Sequence, residues 1–162
     1  NTFFFEKLRE NYNNDTSHLV FLNSAIGESG KFTLYWAPLS QGTGSLDKNH
    51  VLKCIGRENA ASIQEIDVAC ITFSELIDQN PDFRCVDLLI IDAEGHDAAI
   101  VCSIDFEKFK ADVIIFEFMH LTNSEIEKSD KYLQDHRYFV KYDESECIAV
   151  NRTIQRDVEV KF

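Results

Sequence analysis

The stretch VDLLIIDAEGHD, Val86–Asp97, decides how this chain is read. From Val86 to Ile91 the one polar residue is Asp87, so the run suits a pleated strand in a dry interior. It then delivers two carboxylates, Asp92 and Glu94, followed by Gly95. A second continuous apolar strand, VIIFEF at Val113–Phe118, is interrupted by Glu117. Continuous apolar strands alternating with helices imply a parallel sheet covered on both faces. In such sheets ligands bind in the crevice at the carboxyl ends of the strands. Asp92 and Glu94 lie just beyond one such end, and His120 just beyond another.

Working outward, Phe3–Asn11 has the spacing of a helix with Phe4, Phe5 and Leu8 on one side. His18–Ala25 is a short apolar strand, and Lys31–Trp36 alternates as a half-exposed strand does. Ala37–Ala61 dissolves into Ser, Gly, Asn and Lys and is expected to be a long loop, a kind of segment that often carries function. Glu65–Ile71 alternates again, with Ile66, Val68 and Cys70 on one face. Thr72 and Glu75 have capping-box spacing and open a helix through Ile77, which Asn80-Pro81 ends. His96–Ser103 is a further helix. Ser124 and Glu127 are spaced as a capping box for a helix through Leu133. Tyr138–Tyr142 and Cys147–Asn151 alternate around acidic turn residues, the pattern of a terminal hairpin.

The chain of 162 residues favours one domain, 1–162, and is long enough to bury about 70% of its unfolded surface. Its hydrophobic content of 44% and charged content of 27% are those of a globular protein. A net charge of −12 without any Lys/Arg-rich run argues against broad nucleic-acid binding or an anionic membrane partner. No apolar run approaches the roughly 18 residues of a membrane span. The opening NTFFFEKLREN is apolar for three consecutive residues only, unlike a signal peptide. The absence of an initiating Met makes a fragment or processed product the expectation. Five cysteines, odd in number and without a CxxC pair, read as buried thiols of a reducing compartment, hence a cytoplasmic protein. Sequons at Asn14 and Asn151 carry little weight without a secretion signal.

Each candidate for chemistry has a plain structural counterpart. Asp92 and Glu94 are placed to bind Mg²⁺ or Ca²⁺ or to divide acid and base roles. Equally, the segment is a surface turn in which Gly95 permits a sharp bend and His96 or Asp97 caps the next helix. Glu117 sits in an otherwise buried strand, and an isolated buried carboxylate costs several kcal/mol or more, so it must be paired, protonated or facing the crevice. His120 is a ligand, an acid/base group or a satisfied loop histidine. No HExxH, GxSxG or phosphate-loop pattern occurs, and Gly42-Thr43-Gly44 is a weak dinucleotide signal.

Taken together, these segments resemble the FkbM family of S-adenosylmethionine-dependent methyltransferases. VDLLIIDAEGHDAAIV is similar to that family's strand ending Ile-Asp-x-Glu-Gly before a helix. FFFEKLREN, LVFLNSAIGESGKFTLY, QGTGSL, VACITFSELI and VIIFEF follow as weaker matches in the family's order, covering most of Phe3–Asn151. The resemblance implies an α/β, Rossmann-like class I methyltransferase sheet, mostly parallel, with a C-terminal antiparallel hairpin. It places the cofactor S-adenosylmethionine across the strand tips. Asn23, Ser24 and Ala25 would lie near its adenine, and Asp92 near its sulfonium. Glu94 and Gly95 would shape the pocket, with Glu117 at the neighbouring strand end.

The family's glycine-rich cofactor loop and ribose-binding acid are expected before Phe3, and Gly27, Gly30 and Asp47 do not replace them. The expectation is therefore an N-terminally truncated, partial domain of weakened cofactor affinity. Methyl transfer to oxygen of a small molecule or glycan is the leading function, with Asp92 as base and His120 as second choice. The alternative is a non-catalytic, degenerate interaction module. A third reading is a metal-assisted enzyme using Mg²⁺ on Asp92 and Glu94. Acceptor and oligomeric state are left open.

Overall fold

A computed structural model describes residues 2–12, 17–38 and 44–154, with the side chains of 2–4 excluded. The sequon at Asn14 and the Gly42-Thr43 pair lie outside the described residues. The chain divides into two compact units, Asn1–Thr72 and Phe73–Phe162. Each carries its own four-stranded sheet.

The first unit opens with helix α1 (Thr2–Asn11), on which Leu8 is exposed. Strands β1 (Ala25–Ile26), β2 (Gly30–Trp36), β3 (Gly44–Ser45) and β4 (Gln64–Ile71) follow, in the spatial order β1-β4-β2-β3. The apolar strand expected over His18–Ala25 is reduced to the two residues of β1, paired with Cys70 and Ile71. Val20 and Leu22 are exposed instead. Apolar composition favours extension, but a strand exists only where a neighbour takes its backbone hydrogen bonds. In β4, Ile66, Val68 and Cys70 share the more buried face, as the alternation requires.

The expected loop at Ala37–Ala61 contains helix α2 (Lys48–Ile55) and a 3₁₀ segment, Arg57–Ser62. Asp47 caps α2 by accepting the Asn49 amide at 2.8 Å. Gly56, at φ 82°, ends it in the left-handed conformation that glycine adopts without strain. Val51 and Ile55, one turn apart, pack with Ala37, Tyr35 and Ile63 into this unit's core.

The second unit begins with helix α3 (Phe73–Gln79), followed by β5 (Cys85–Ile91), α4 (Asp97–Ser103), β6 (Lys110–Glu117), α5 (Asn123–Asp135), β7 (Tyr138–Asp143) and β8 (Glu146–Asn151). Its sheet runs β5-β6-β8-β7. Its core gathers Ile114 and Phe116 of β6, Val101 of α4, Leu133 of α5 and Cys147 of β8, all under 2% exposed. Tyr138 is buried with them, and its hydroxyl donates to the Ala111 carbonyl at 2.8 Å.

Two expectations change here. The sheets are mixed rather than mostly parallel: β1–β4 and β5–β6 are parallel, while β2–β3, β2–β4, β6–β8 and β7–β8 are antiparallel. The terminal hairpin forms as expected, and it folds back so that β8 takes the second edge of β6. Among the described residues β5 has one strand neighbour, and Leu88 and Ile90 are 49% and 64% exposed rather than covered. No helix among the described residues is long and apolar enough to cross a membrane. All five cysteines are free, with Cys70 and Cys147 buried and Cys102 intermediate. Cys54 and Cys85 are exposed, against the expectation of uniformly buried thiols.

Candidate active site

The parallel ladder of β5 and β6 ends at the register Ile91↔Phe116. Asp92 follows the last residue of β5, and Glu117 is the last residue of β6, still paired with Glu146 of β8, so the two carboxylates lie at the same end of the sheet. This is the carboxyl edge of the one parallel pair among the unit's described residues. Beyond it the chain does not continue as a strand. Glu94 and Gly95 both have positive φ, 50° and 95°, and the His96 amide closes the turn onto the Ala93 carbonyl at 3.2 Å. Gly95 meets this geometry without a Cβ, whereas Glu94 adopts it at a cost of order 1 kcal/mol.

Asp97 holds the turn. It is 1% exposed, and its two carboxylate oxygens accept the amides of Ala93 at 3.2 Å and Gly95 at 3.1 Å. Two amide donors to one ionised acceptor offset much of what burying that carboxylate costs. The sequence left Asp97 as a possible helix cap. Instead His96 occupies the cap position without a side-chain cap bond, and the Asp97 oxygens face back into the turn. The signal was present as an acid two residues beyond a glycine, but the cap and the clamp share that spacing.

Glu117 is three-quarters covered, and its Oε2 lies 3.6 Å from Nε2 of His120, whose side chain is 40% exposed. Burial pushes the Glu117 carboxyl above the usual carboxylate range. His120 pulls it back, while Asp92, Glu94 and Asp97 push it further up. Asp92, Glu94 and His120 therefore all lie within electrostatic range of Glu117, on one unit. His120 is carried by the turn after β6, where the Leu121 amide binds the Phe118 carbonyl at 3.0 Å. Its neighbour is the carboxylate anticipated to need a partner.

Asn23, Ser24 and Ala25 belong to the first unit. There they line a cleft of about 260 Å³ together with Leu34, Asp67 and Val68. Amide, hydroxyl and carboxylate groups are set beside aliphatic walls, a lining suited to a flat polar ring.

The donor set fits a sulfonium cofactor in sign. Around Glu117 the carboxylates of Asp92, Glu94 and Asp97 outweigh the His120 imidazole, a balance that favours a cation and offers acceptors for a proton. Against this geometry, the family model of the methyltransferase FkbM domain matches residues 2–140. The chain belongs to the FkbM methyltransferase family. No curated protein and no solved structure matches it. The FkbM match spans both compact units and includes every residue singled out above, from Asn23 to His120.

Proposed function

We propose that this FkbM chain is the core of an S-adenosylmethionine-dependent methyltransferase that methylates an oxygen of a small molecule or glycan. The observation that carries this reading is the convergence of Asp92, Glu94 and Glu117 at the carboxyl edge of β5–β6, around a carboxyl of raised proton affinity. Bound S-adenosylmethionine supplies a methyl carbon whose bond to a sulfonium sulfur breaks as the acceptor's oxygen takes it. Asp92 is the base that receives the acceptor's hydroxyl proton. Glu94 and Gly95 shape the wall beside it, and the negative field of the cluster favours the cationic cofactor over its neutral product. His120, beside Glu117, is the second group able to hold a proton. Asn23, Ser24 and Ala25, with Leu34 and Val68 as apolar walls, line a cleft of the first unit that would accept a flat polar ring such as adenine.

A family match crossing both units supports reading residues 2–140 as a single methyltransferase domain. Five free thiols support a reducing, cytoplasmic setting.

The test is calorimetric titration with S-adenosylmethionine, followed by transfer of a labelled methyl group to a panel of hydroxylated small molecules and oligosaccharides. Asp92→Asn should lower the transfer rate by about 100-fold or more while cofactor binding changes only a few-fold. A chain that takes up no cofactor and transfers no label overturns the proposal.

A further inference from the structure

Among the described residues, four polar or charged side chains are buried, those of Ser45, His50, Asp97 and Ser129, and Asp97 is the one carboxylate. Its position is unusual for a residue in the first turn of a helix. α4 starts its own ladder with the Ile100 amide on the His96 carbonyl at 3.0 Å. The Asp97 oxygens serve instead the amides of Ala93 and Gly95, in the segment before the helix.

We infer that Asp97 is the positioning residue of the site: by clamping the Ala93 and Gly95 amides it fixes the left-handed turn that sets Asp92 and Glu94 at the carboxyl edge of β5–β6. The inference rests on the methyltransferase reading of that edge. Its physical basis is that the turn is not self-sustaining. Glu94 at φ 50° is in a conformation that L side chains rarely adopt, and such a conformation persists only when its surroundings over-determine it. The clamp needs two acceptors. A carboxylate supplies both, whereas the amide of Asn supplies one and sets an N–H₂ against the other backbone donor. A base displaced by as little as an ångström loses rate without losing the binding of its substrate, so the effect of Asp97 falls on kcat. Asp97 also adds its charge to those of Asp92 and Glu94 around Glu117, opposite the single imidazole of His120.

The experiment uses the whole chain, wild type and Asp97→Asn, with NMR and steady-state kinetics. In the wild type the Ala93 and Gly95 amide protons should be protected from exchange and show scalar couplings across their hydrogen bonds to the Asp97 carboxyl carbon, a readout that requires no variant. In Asp97→Asn those amides should exchange at least tenfold faster, and Glu117 should titrate at lower pH because a neighbouring negative charge is gone. With S-adenosylmethionine and an acceptor, kcat should fall at least tenfold with KM for the cofactor within threefold. Gly95→Ala, which keeps the carboxylate and strains the same turn, should reproduce the kcat loss. The double variant should be no slower than the worse single one. Ala93 and Gly95 amides that are unprotected and uncoupled to the Asp97 carboxyl carbon in the wild type overturn the proposal, even where Asp97→Asn fails to fold. An active wild type whose Asp97→Asn variant keeps kcat within twofold overturns it as well. A wild type that neither binds cofactor nor transfers methyl defeats the methyltransferase reading and the positioning role with it, while the amide protection and couplings still report whether the clamp forms.

Discussion

Glu117 is held between two opposing influences. Removal from water and three neighbouring carboxylates favour its protonated form, and His120 favours its charged form; burial is the largest. Because its folded proton affinity is raised, its contribution to stability is fully present below the ordinary carboxylate range and is lost as pH rises through its own raised value. Glu117→Gln removes that loss. The thermal midpoint of the variant, relative to wild type, should therefore climb as pH rises through and above the ordinary carboxylate range. A midpoint difference that is flat with pH, measured by calorimetry, shows that Glu117 is not desolvated as described. Glu117 was legible in the sequence because a carboxylate inside VIIFEF violates the pattern of its strand. Asp97 was not, because an acid at a helix start satisfies every local rule, and its burial and two amide partners exist only once the turn has folded.

The elements divide in the same way. The two continuous apolar runs became β5 and β6, and the alternating pair at the end became the β7–β8 hairpin. By contrast, α2 was missed because it buries only His50, Val51 and Ile55 among Lys and Asn, too little for periodicity to stand out. Its signals were punctuation, Asp47 in front and Gly56 behind. Helix α5 shows how finely such punctuation must be read. Two boxes overlap in LTNSEIEK, and the reading from sequence alone saw the one at Ser124 and Glu127. The helix uses Thr122 and Glu125: the Thr122 hydroxyl accepts the Glu125 amide at 3.4 Å, and the Glu125 carboxylate accepts the Thr122 amide at 2.8 Å and its hydroxyl at 2.7 Å. Thr122→Ala should cost about 1 kcal/mol, whereas Ser124→Ala should stay within about 0.5 kcal/mol. Those hydrogen bonds also depress the Glu125 carboxyl, so its stabilisation is present above the ordinary carboxylate range and is lost as pH falls through its lowered value. The Thr122→Ala deficit in urea unfolding should shrink on acidification below that range. Equal costs for the two substitutions would return the helix start to Ser124.

At the scale of the molecule, composition bounded the class and the order of segments gave the family, but neither could give strand direction. Whether a buried strand pairs parallel or antiparallel depends on the connection that brings its neighbour, and the short β7–β8 turn is what carries β8 back against β6. The placement of β8 between β6 and β7 is therefore the feature of the second unit most in need of a direct check, and the thiols supply one. Cys147 lies on β8, is fully buried, and burial pushes its thiol up to about 12. Cys70, on β4 of the first unit, is 3% exposed, with its thiol likewise raised by burial and by Glu28. Cys54 and Cys85 are exposed. Since the thiolate is the reacting form and access limits the rest, alkylation at neutral pH should label Cys54 and Cys85 first. Cys102 should follow, and Cys70 and Cys147 should wait for unfolding. Mass mapping of a time course, with and without denaturant, reads the order directly. Labelling of Cys147 at the rate of Cys85 in the native chain would mean that β8 does not occupy the middle of the sheet, and the antiparallel correction to the expected parallel order would fall with it.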